Sequence, residues 1–404
     1  MREFICPASI LLLCLLPIGQ PARGQEPGAG LLMVWPTPRA TALAGALTAL
    51  ADEADAPFFN PGGLGFQTKV KAAVSAGEWL PGLWPGMCHA YGAGVMPLSR
   101  PLGLPADLCV SVNAAYMKVG ENDVVNERGE FLGRYDAWRG ALSLGCGTQI
   151  GKFGLGLGAA LFHSRYSGYY GLMWQGYPVL GLEPGGTGNG FTMSAGALYQ
   201  TTGWVAVGLA LTNFGTDIAY HDAYNWFYGR YDYTVPMPRM LRLGACWTPL
   251  NTPAFRLRVM PEVDKLLIGI FRDTSSTKPL KTKVGDELNS AWKALGIEAT
   301  CFRLLHARVS YFEDVLNQRG GFLIENELGQ TYHYSISDFL ARNAPGRLKK
   351  VGLSWGVGFG SESFRFDLSS DAAIYDFDTS NWKFSLVSND LAGLVRGLRG
   401  PPAQ

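Results

Sequence analysis

Alternation between apolar side chains and small or polar ones is the feature of this sequence that most restricts its fold. Within residues 153–161 the odd positions carry Phe, Leu and Ala, and positions 154, 156 and 158 are all glycine. The same period of two recurs in 191–200, 204–211 and 351–359. Successive side chains of a β-strand point to opposite faces of its sheet, so this pattern predicts strands with one apolar face and one small or polar face.

Fourteen segments of this kind follow one another from about residue 68 onward. We expect them at 68–79, 87–98, 107–118, 135–149, 152–164, 190–201, 203–214, 239–248, 253–270, 291–302, 304–314, 347–359, 362–372 and 380–388. Their connections alternate in length: those at 150–151, 202 and 303 are short, whereas those at 165–189 and 315–346 are long. An even number of strands with short turns at one end and long loops at the other is typical of outer-membrane barrels.

Closure of the sheet follows from its surroundings. In lipid, every backbone polar group must be hydrogen-bonded within the protein, so a membrane-spanning sheet has to close on itself. The sequence therefore predicts a transmembrane, all-β fold: a 14-stranded antiparallel outer-membrane β-barrel in contact with outer-membrane lipids. A soluble β-protein is the alternative, because soluble antiparallel sheets alternate as well.

The N-terminus predicts export. Arg2 precedes an apolar run at 10–18 and small residues at 22–24, which is typical of a signal peptide, here residues 1–24. Without these residues, 34 − 2 basic and 33 − 1 acidic residues remain, so the net charge is zero. A neutral chain gives no indication of nucleic-acid binding. The five remaining cysteines have no metal-site spacing, and we expect neither a metal nor a cofactor.

The segment between the signal peptide and the strands, residues 25–66, differs in composition and predicts a plug inside the barrel. We expect a short helix from Ala40 to Leu50 in this Ala- and Gly-rich stretch. Proline and glycine in the tight turn that follows would fix φ and supply any positive φ. The barrel then comprises 67–390, and 391–404 form a tail. The residues assigned to the plug or gate are Asp52, Glu53 and Asp55, then Asn60, Pro61, Gly62 and Gly63.

Charged side chains fall on the predicted inner face of several strands. The ordinary interpretation is a polar lumen whose charges pair with one another and with the plug, and the alternative is that some of them line a ligand path. We expect the plug carboxylates to pair with luminal arginines such as Arg139 or Arg242. The lumen candidates are Arg139, Arg242, Glu298, Arg308, Arg365 and Asp367.

An enzymatic function is not expected. The sequence Gly352-Leu353-Ser354-Trp355-Gly356 matches the nucleophile-elbow pattern, but that motif needs a strand-to-helix turn and here it lies within a predicted strand. No nucleophile–base pair is recognisable elsewhere.

Several segments carry a resemblance to a known family: 44–46, 49–52, 59–64, 209–215, 236–238 and 241–245. They resemble the PorV/PorQ family, within the group of 14-stranded barrels typified by the long-chain fatty-acid transporter FadL. This resemblance implies a non-enzymatic protein that handles exported proteins together with a type IX secretion machinery. The alternative it implies is a FadL-like passive uptake channel for hydrophobic small molecules such as fatty acids.

Overall fold

The computed structural model describes residues 28–81, 86–98, 108–125, 128–129, 131–167, 172–174, 177–180, 186–225, 229–268, 285, 287–314, 319–361, 363–371 and 381–393. The signal-peptide prediction lies outside these residues, as does most of the predicted tail. The strands are β1 (Lys71–Glu78), β2 (Cys88–Pro97), β3 (Leu108–Val125), β4 (Phe131–Ile150), β5 (Phe153–Ser167), β6 (Leu172–Trp174), β7 (Tyr177–Leu180), β8 (Gly186–Thr202), β9 (Val205–Gly215), β10 (Ile218–Asn225), β11 (Gly229–Val235), β12 (Met240–Asn251), β13 (Phe255–Leu266), β14 (Trp292–Cys301), β15 (Leu305–Asp314), β16 (Arg319–Gly320), β17 (Phe322–Glu325), β18 (Thr331–Tyr334), β19 (Arg347–Val351), β20 (Leu353–Gly360), β21 (Arg365–Ser370) and β22 (Trp382–Ser388).

Fourteen of these strands form one closed antiparallel barrel. The pairing runs from β1 through β2, β3, β4, β5, β8, β9, β12, β13, β14, β15, β20 and β21 to β22. The ring closes where Ala73 of β1 lies opposite Ala93 of β2 on one side and Val387 of β22 on the other. The predicted fold class and strand number are therefore confirmed.

The outer surface of the barrel is apolar. Leu144, Leu157 and Leu243, on three different strands, are each more than half exposed. Aromatic pairs lie near both ends: Phe153 stacks on Tyr199 beside the short turns, and Trp355 meets Trp382 beside the long loops. An outward apolar band between two aromatic girdles is how a barrel meets a bilayer. Among the described residues, no helix is both long and apolar enough to cross a membrane.

The two ends of the barrel differ, and we name them by their connections. Tight turns at 151–152, 203–204 and 302–304 define the short-turn end, and the longer connections define the long-loop end. Several predicted strand boundaries are wrong at the long-loop end. The strands expected at 107–118, 135–149 and 190–201 extend further toward this end, as β3, β4 and β8. The strand expected at 347–359 is divided into β19 and β20, because Gly352 donates its amide hydrogen to Gly321 and ends the barrel ladder there. β19 instead joins β17 and β18 in a separate three-stranded sheet.

Residues 28–66, which we call the N-terminal segment, lie inside the barrel. They contain α1 (Pro38–Ala42), α2 (Ala56–Phe59) and 3-10 turns at Gly30–Met33 and Pro61–Phe66. The helix expected to reach Leu50 ends at Ala42, because Ala44 and Gly45 adopt positive φ values of 52° and 75°. A side chain at position 45 would also collide with the Trp35 indole, so glycine is needed at this bend.

Candidate functional site in the barrel lumen

The turn at Asn60–Gly63 is fixed to the barrel wall by hydrogen bonds and by the absence of side chains. Asn60 Nδ2 donates to the carbonyls of Thr48 (2.8 Å) and Ala197 (3.0 Å), and Asn60 Oδ1 accepts from the Gly62 amide (2.9 Å). A Cβ atom added to Gly156 of β5 would collide with the backbone of Pro61. The small-residue face of β5 therefore makes room for this turn.

This turn needs glycine because there is no room for a side chain, and not because its backbone adopts a positive φ. Neither Gly62 nor Gly63 has a positive φ, in contrast to the sequence-based expectation. A Cβ on Gly62 would lie 2.9 Å from the Ala197 Cα, and one on Gly63 would collide with the Ala51 carbonyl. The backbone of the turn approaches both the wall and its own segment too closely for any side chain.

Arg39 of α1 is the centre of a buried ionic network. Its Nη1 lies 2.6 Å from Asp52 and 2.8 Å from Glu53, and its Nε lies 2.9 Å from Glu298 of β14. A single guanidinium therefore joins two carboxylates of the N-terminal segment to one of the wall. Its planar fork of donors suits such multiple pairing.

Three arginines of the wall complete the network. Arg308 bridges Glu298 and Asp367, Arg365 bridges Glu53 and Asp367, and Arg258 bridges Asp52 and Glu298, at distances of 2.6–3.2 Å. The charge cluster, as we name it, consists of Arg39, Arg258, Arg308, Arg365, Asp52, Glu53, Glu298 and Asp367. Its four positive and four negative charges balance, as buried ions require.

Two lumen candidates lie outside the charge cluster. Arg242 pairs with Asp264 at 3.2 Å and lies over the Phe59 ring at 5.5 Å. Arg139 of β4 is level with Ser164 of β5, nearer the long-loop end. The plug carboxylates therefore pair with luminal arginines as expected, but these are Arg258 and Arg365 rather than Arg242. Alternation places a side chain on the inner face, but it does not give the height of its partner along the barrel axis.

The sequence-based prediction missed two members of the charge cluster, Arg39 and Arg258. Arg39 precedes the predicted helix and gave no signal of its own. Arg258 could have been found, because it shares the inward parity of Glu262 within β13. Among the described residues, no group of His, Cys, Asp and Glu has the arrangement of a metal site.

The three carboxylates of the N-terminal segment differ in their surroundings. Burial alone would raise the pKa of Asp52, but the charges of Arg39 and Arg258 outweigh it and hold that pKa well below its usual range. Burial raises the pKa of Asp55 to about 6, and the nearby charge of Glu53 adds to the shift. Thr37 Oγ1 donates a 2.6 Å hydrogen bond to Asp55, which only partly offsets the burial.

At the short-turn end, the charge cluster forms the floor of a polar cavity of about 260 Å³. Lys69, Lys71 and Arg256 line it together with Arg39 and Asp52. This cavity, which we call the polar vestibule, is suited to water and ions. An apolar solute entering it would displace water from charged groups without replacing their interactions.

The opposite end of the lumen is apolar. Leu31 and Leu32 of the N-terminal segment pack against inward-facing side chains of several strands. The apolar cluster, as we name it, consists of Ala29, Leu31, Leu32, Val34, Met117, Ala141, Phe162, Ile218, Tyr220 and Met237. It lies toward the long-loop end, so the two ends of the lumen have opposite chemistry.

The barrel wall beside the apolar cluster has a cavity on its outer, lipid-facing side and another on its inner side. A groove of about 690 Å³ is bordered by the outward-facing Leu142, Leu161 and Phe191. A smaller cavity of about 40 Å³ lies against Leu32 and Phe58 of the N-terminal segment. Both are lined by the same two wall residues, which have the smallest of side chains: Ala115 and Ala141.

The β8–β9 pair, which lies on the far side of β5 from this wall and borders the smaller cavity, is irregular. The register between β8 and β9 shifts between Met193 and Ala195, and Asn213 adopts a positive φ of 59°. The Asn213 amide donates to the Ser194 hydroxyl at 3.2 Å instead of continuing the ladder. A bulge of this kind bends the strand and loosens the wall locally.

No family model matches the chain, and no curated protein matches it. Among solved structures, the toluene transporter TbuX of Ralstonia pickettii is 10% identical, with a TM-score of 0.46 over 87% of this chain and 97% of that chain. The monoaromatic hydrocarbon channel CymD is 14% identical, with a TM-score of 0.46 over 87% and 95%. The Pseudomonas putida toluene transporter TodX is 12% identical, with a TM-score of 0.42 over 82% and 92%.

At identities of 10–14% and TM-scores of 0.42–0.46, these similarities decide neither the fold nor the function. The barrel is established by its own closed ring of strand pairs.

Proposed function

We propose that the chain is an outer-membrane channel for passive uptake of small hydrophobic molecules, which enter the lumen through the barrel wall. One observation carries this proposal: the lipid-side groove and the interior cavity share Ala115 and Ala141. These two alanines pair across β3 and β4, and the bulge at Ser194 and Asn213 borders the interior cavity, so little has to move for a slender apolar solute to pass. An apolar solute gains free energy by remaining out of water throughout such a route.

The polarity of the lumen supports entry through the side rather than along the axis. The apolar cluster offers a solute contacts equivalent to those it leaves in lipid, whereas the charge cluster offers only desolvation costs. Onward passage to the polar vestibule requires the charge cluster to separate. The N-terminal segment, which contributes Arg39, Asp52 and Glu53, is therefore the proposed gate.

This function corresponds to the FadL-like alternative implied by the sequence resemblance. With short turns in the periplasm, as in other barrels of this kind, the polar vestibule opens to the periplasm and the apolar cluster lies toward the cell exterior. The handling of exported proteins, which the PorV/PorQ resemblance implies first, stays a prediction. No contact among the described residues supports it over the channel.

A pair of glycine variants tests the proposal in cells. Gly140 lines the groove, and Gly92 faces outward on β2 with nothing within 4 Å of an added Cβ. Gly140→Leu should fill the groove and lower uptake of a radiolabelled hydrophobic compound several-fold, whereas Gly92→Leu should leave uptake unchanged. Equal uptake in both variants, at equal amounts of inserted barrel, would contradict entry through this wall.

A deletion strain separates the two functions. Loss of hydrophobe uptake with exported proteins still at the cell surface supports the channel. Accumulation of exported proteins in the periplasm, with uptake unaffected, would instead favour the protein-handling function.

A further inference from the structure

The small sheet at the long-loop end lies on the lipid-facing side of the wall. Tyr311 of β15 has the outward parity of Val309, and its strand partners Leu295 and Leu353 are exposed apolar residues. The Phe322 ring of β17 lies 5.6 Å from the Tyr311 ring. The sheet therefore continues the apolar outer surface of the barrel beyond its rim.

A short helix, α3 (Ile336–Leu340), is fixed to the same outer surface. Its Phe339 stacks on Phe322 at 4.2 Å with the ring planes 3° apart. The outward-facing Glu313 of β15 accepts hydrogen bonds from the Ile336 amide (2.7 Å) and from the Tyr311 hydroxyl (2.6 Å). Glu313 is fully buried and also pairs with Lys293 of the neighbouring strand β14 at 2.7 Å, so the helix is held beside the wall rather than above the lumen.

The helix nevertheless leaves large apolar side chains uncovered. Leu340 is 73% exposed, and Ile336 and Phe339 are each more than a third exposed. Leu348 of β19 and Tyr332 of β18, which both lie opposite Ile324, add to this surface. We call the exposed side chains of α3, Tyr332 and Leu348 the rim surface.

The charges next to the rim surface are mainly positive. Residues 336–350 contain two arginines and two lysines but only one acidic residue, Asp338. Arg342, Arg347 and Lys349 are exposed, and Lys349 also pairs with Glu325 of β17 at 3.0 Å. Asp338 is engaged by the helix cap, where Ser335 donates to it at 2.6 Å. Exposed apolar side chains with a positive margin are the composition of segments that lie in a membrane interface.

We propose that the rim surface binds the outer leaflet of the membrane, with its apolar side chains at the headgroup–acyl boundary and its cations against lipid phosphates. Two observations select lipid as the occupant. The rim surface is continuous with the lipid-facing band through Tyr311, and its positive charge is complementary to phosphate groups. The proposal does not depend on what the channel carries.

Two leucines in the same small sheet and its helix give a matched test. Leu328 is 82% exposed, more than Leu340, but it lies in the turn between β17 and β18, several residues further from the rim. A photoreactive phenylalanine analogue would replace Leu340 or Leu328 in the full chain, embedded in nanodiscs of phosphatidylcholine with an equal amount of phosphatidylglycerol. Lipid adducts at position 340 and few at 328 are expected. Equal labelling at both positions, or no lipid adduct at 340, would overturn the proposal, as would adducts at 340 formed only with protein.

The unaltered chain provides a second measurement that does not depend on a substitution. Trypsin should cleave after Arg342 more slowly in the mixed nanodiscs than in phosphatidylcholine alone. Because one basic residue near an anionic surface is worth about fivefold in binding, the difference should be of that order and should shrink at high salt. Equal rates in both lipids would contradict the role of the cations. R342Q should lower the yield of lipid adducts at position 340 in the mixed nanodiscs without abolishing it, because Arg347 and Lys349 remain.

Discussion

The two ends of the lumen hold the same N-terminal segment by different forces. Toward the long-loop end, Leu31 and Leu32 are buried among apolar side chains, whereas toward the short-turn end Arg39 is bound by carboxylates of the segment and of the wall. Apolar contacts are non-directional and tolerate rearrangement, whereas buried ion pairs need fixed geometry. The apolar end is therefore suited to accept a varied hydrophobic solute, and the charged end to hold the lumen closed.

The contrast also separates the responses of the two ends to solution conditions. Protonation and substitution of charged groups act on the charge cluster and leave the apolar cluster unaffected. Loss of apolar side-chain volume affects the apolar cluster and leaves the charge cluster unchanged. Variants of each end should therefore be distinguishable by pH dependence as well as by size of effect.

Replacement of the central cation should have the largest effect. Arg39→Met leaves Asp52, Glu53 and Glu298 with one arginine fewer in a buried site, which should cost about 3–5 kcal/mol. The barrel should still insert, but the N-terminal segment should become accessible to protease in detergent-extracted protein.

The matched control is Lys69→Met. Lys69 is half exposed and pairs with Asp390 at 3.2 Å, and surface pairs contribute about 0–1 kcal/mol. Equal protease sensitivity in the two variants would contradict the central position of Arg39.

Removal of apolar volume at the other end should have a smaller effect. Leu31 is fully buried, and Leu31→Ala should lower the free energy of unfolding by about 3 kcal/mol, because it leaves a cavity. Denaturant titrations should give the same loss at pH 5 and pH 8. The exposed Leu328→Ala should change little, and a strongly pH-dependent loss in Leu31→Ala would break the distinction between the two ends.

The pH dependence of Asp55 should be smaller still and opposite in sign to that of Asp52. A carboxyl whose pKa rises to about 6 on folding binds its proton more tightly in the folded state, so stability falls as pH rises from about 4 to 6. Asp55→Asn should remove this loss and stabilise the protein at pH 8 by roughly 2–3 kcal/mol, with no effect below pH 4.

Glu327 is exposed, and Glu327→Gln serves as the control for Asp55→Asn. This substitution should not shift the unfolding midpoint, either at pH 8 or below pH 4. An Asp55→Asn variant that is destabilised at pH 8 would show that the ionised carboxylate contributes favourably there.

The barrel could be predicted from the sequence because lipid and backbone hydrogen bonding constrain it strongly. The period-two alternation predicts that Gly154 and Gly156 share the face opposite the apolar side chains. The number and the alternating lengths of the connections predict fourteen strands and a barrel with two unlike ends. The N-terminal segment was less predictable, since its helix ends where Gly45 must pass the Trp35 ring. Partners of Asp52 and Glu53 depend on heights along the barrel axis, which no local pattern specifies.

The central claim, that a hydrophobic solute enters the apolar end of the lumen through the wall, is tested most directly by mapping where such a solute binds. A photoreactive hydrophobic probe, added to the barrel in nanodiscs, should label Met117, Phe162 or Met237, and Gly140→Leu should reduce this labelling several-fold. An excess of unlabelled hydrophobe should compete with it. Labelling confined to the polar vestibule, or labelling of the apolar cluster that Gly140→Leu leaves unchanged, would contradict the account.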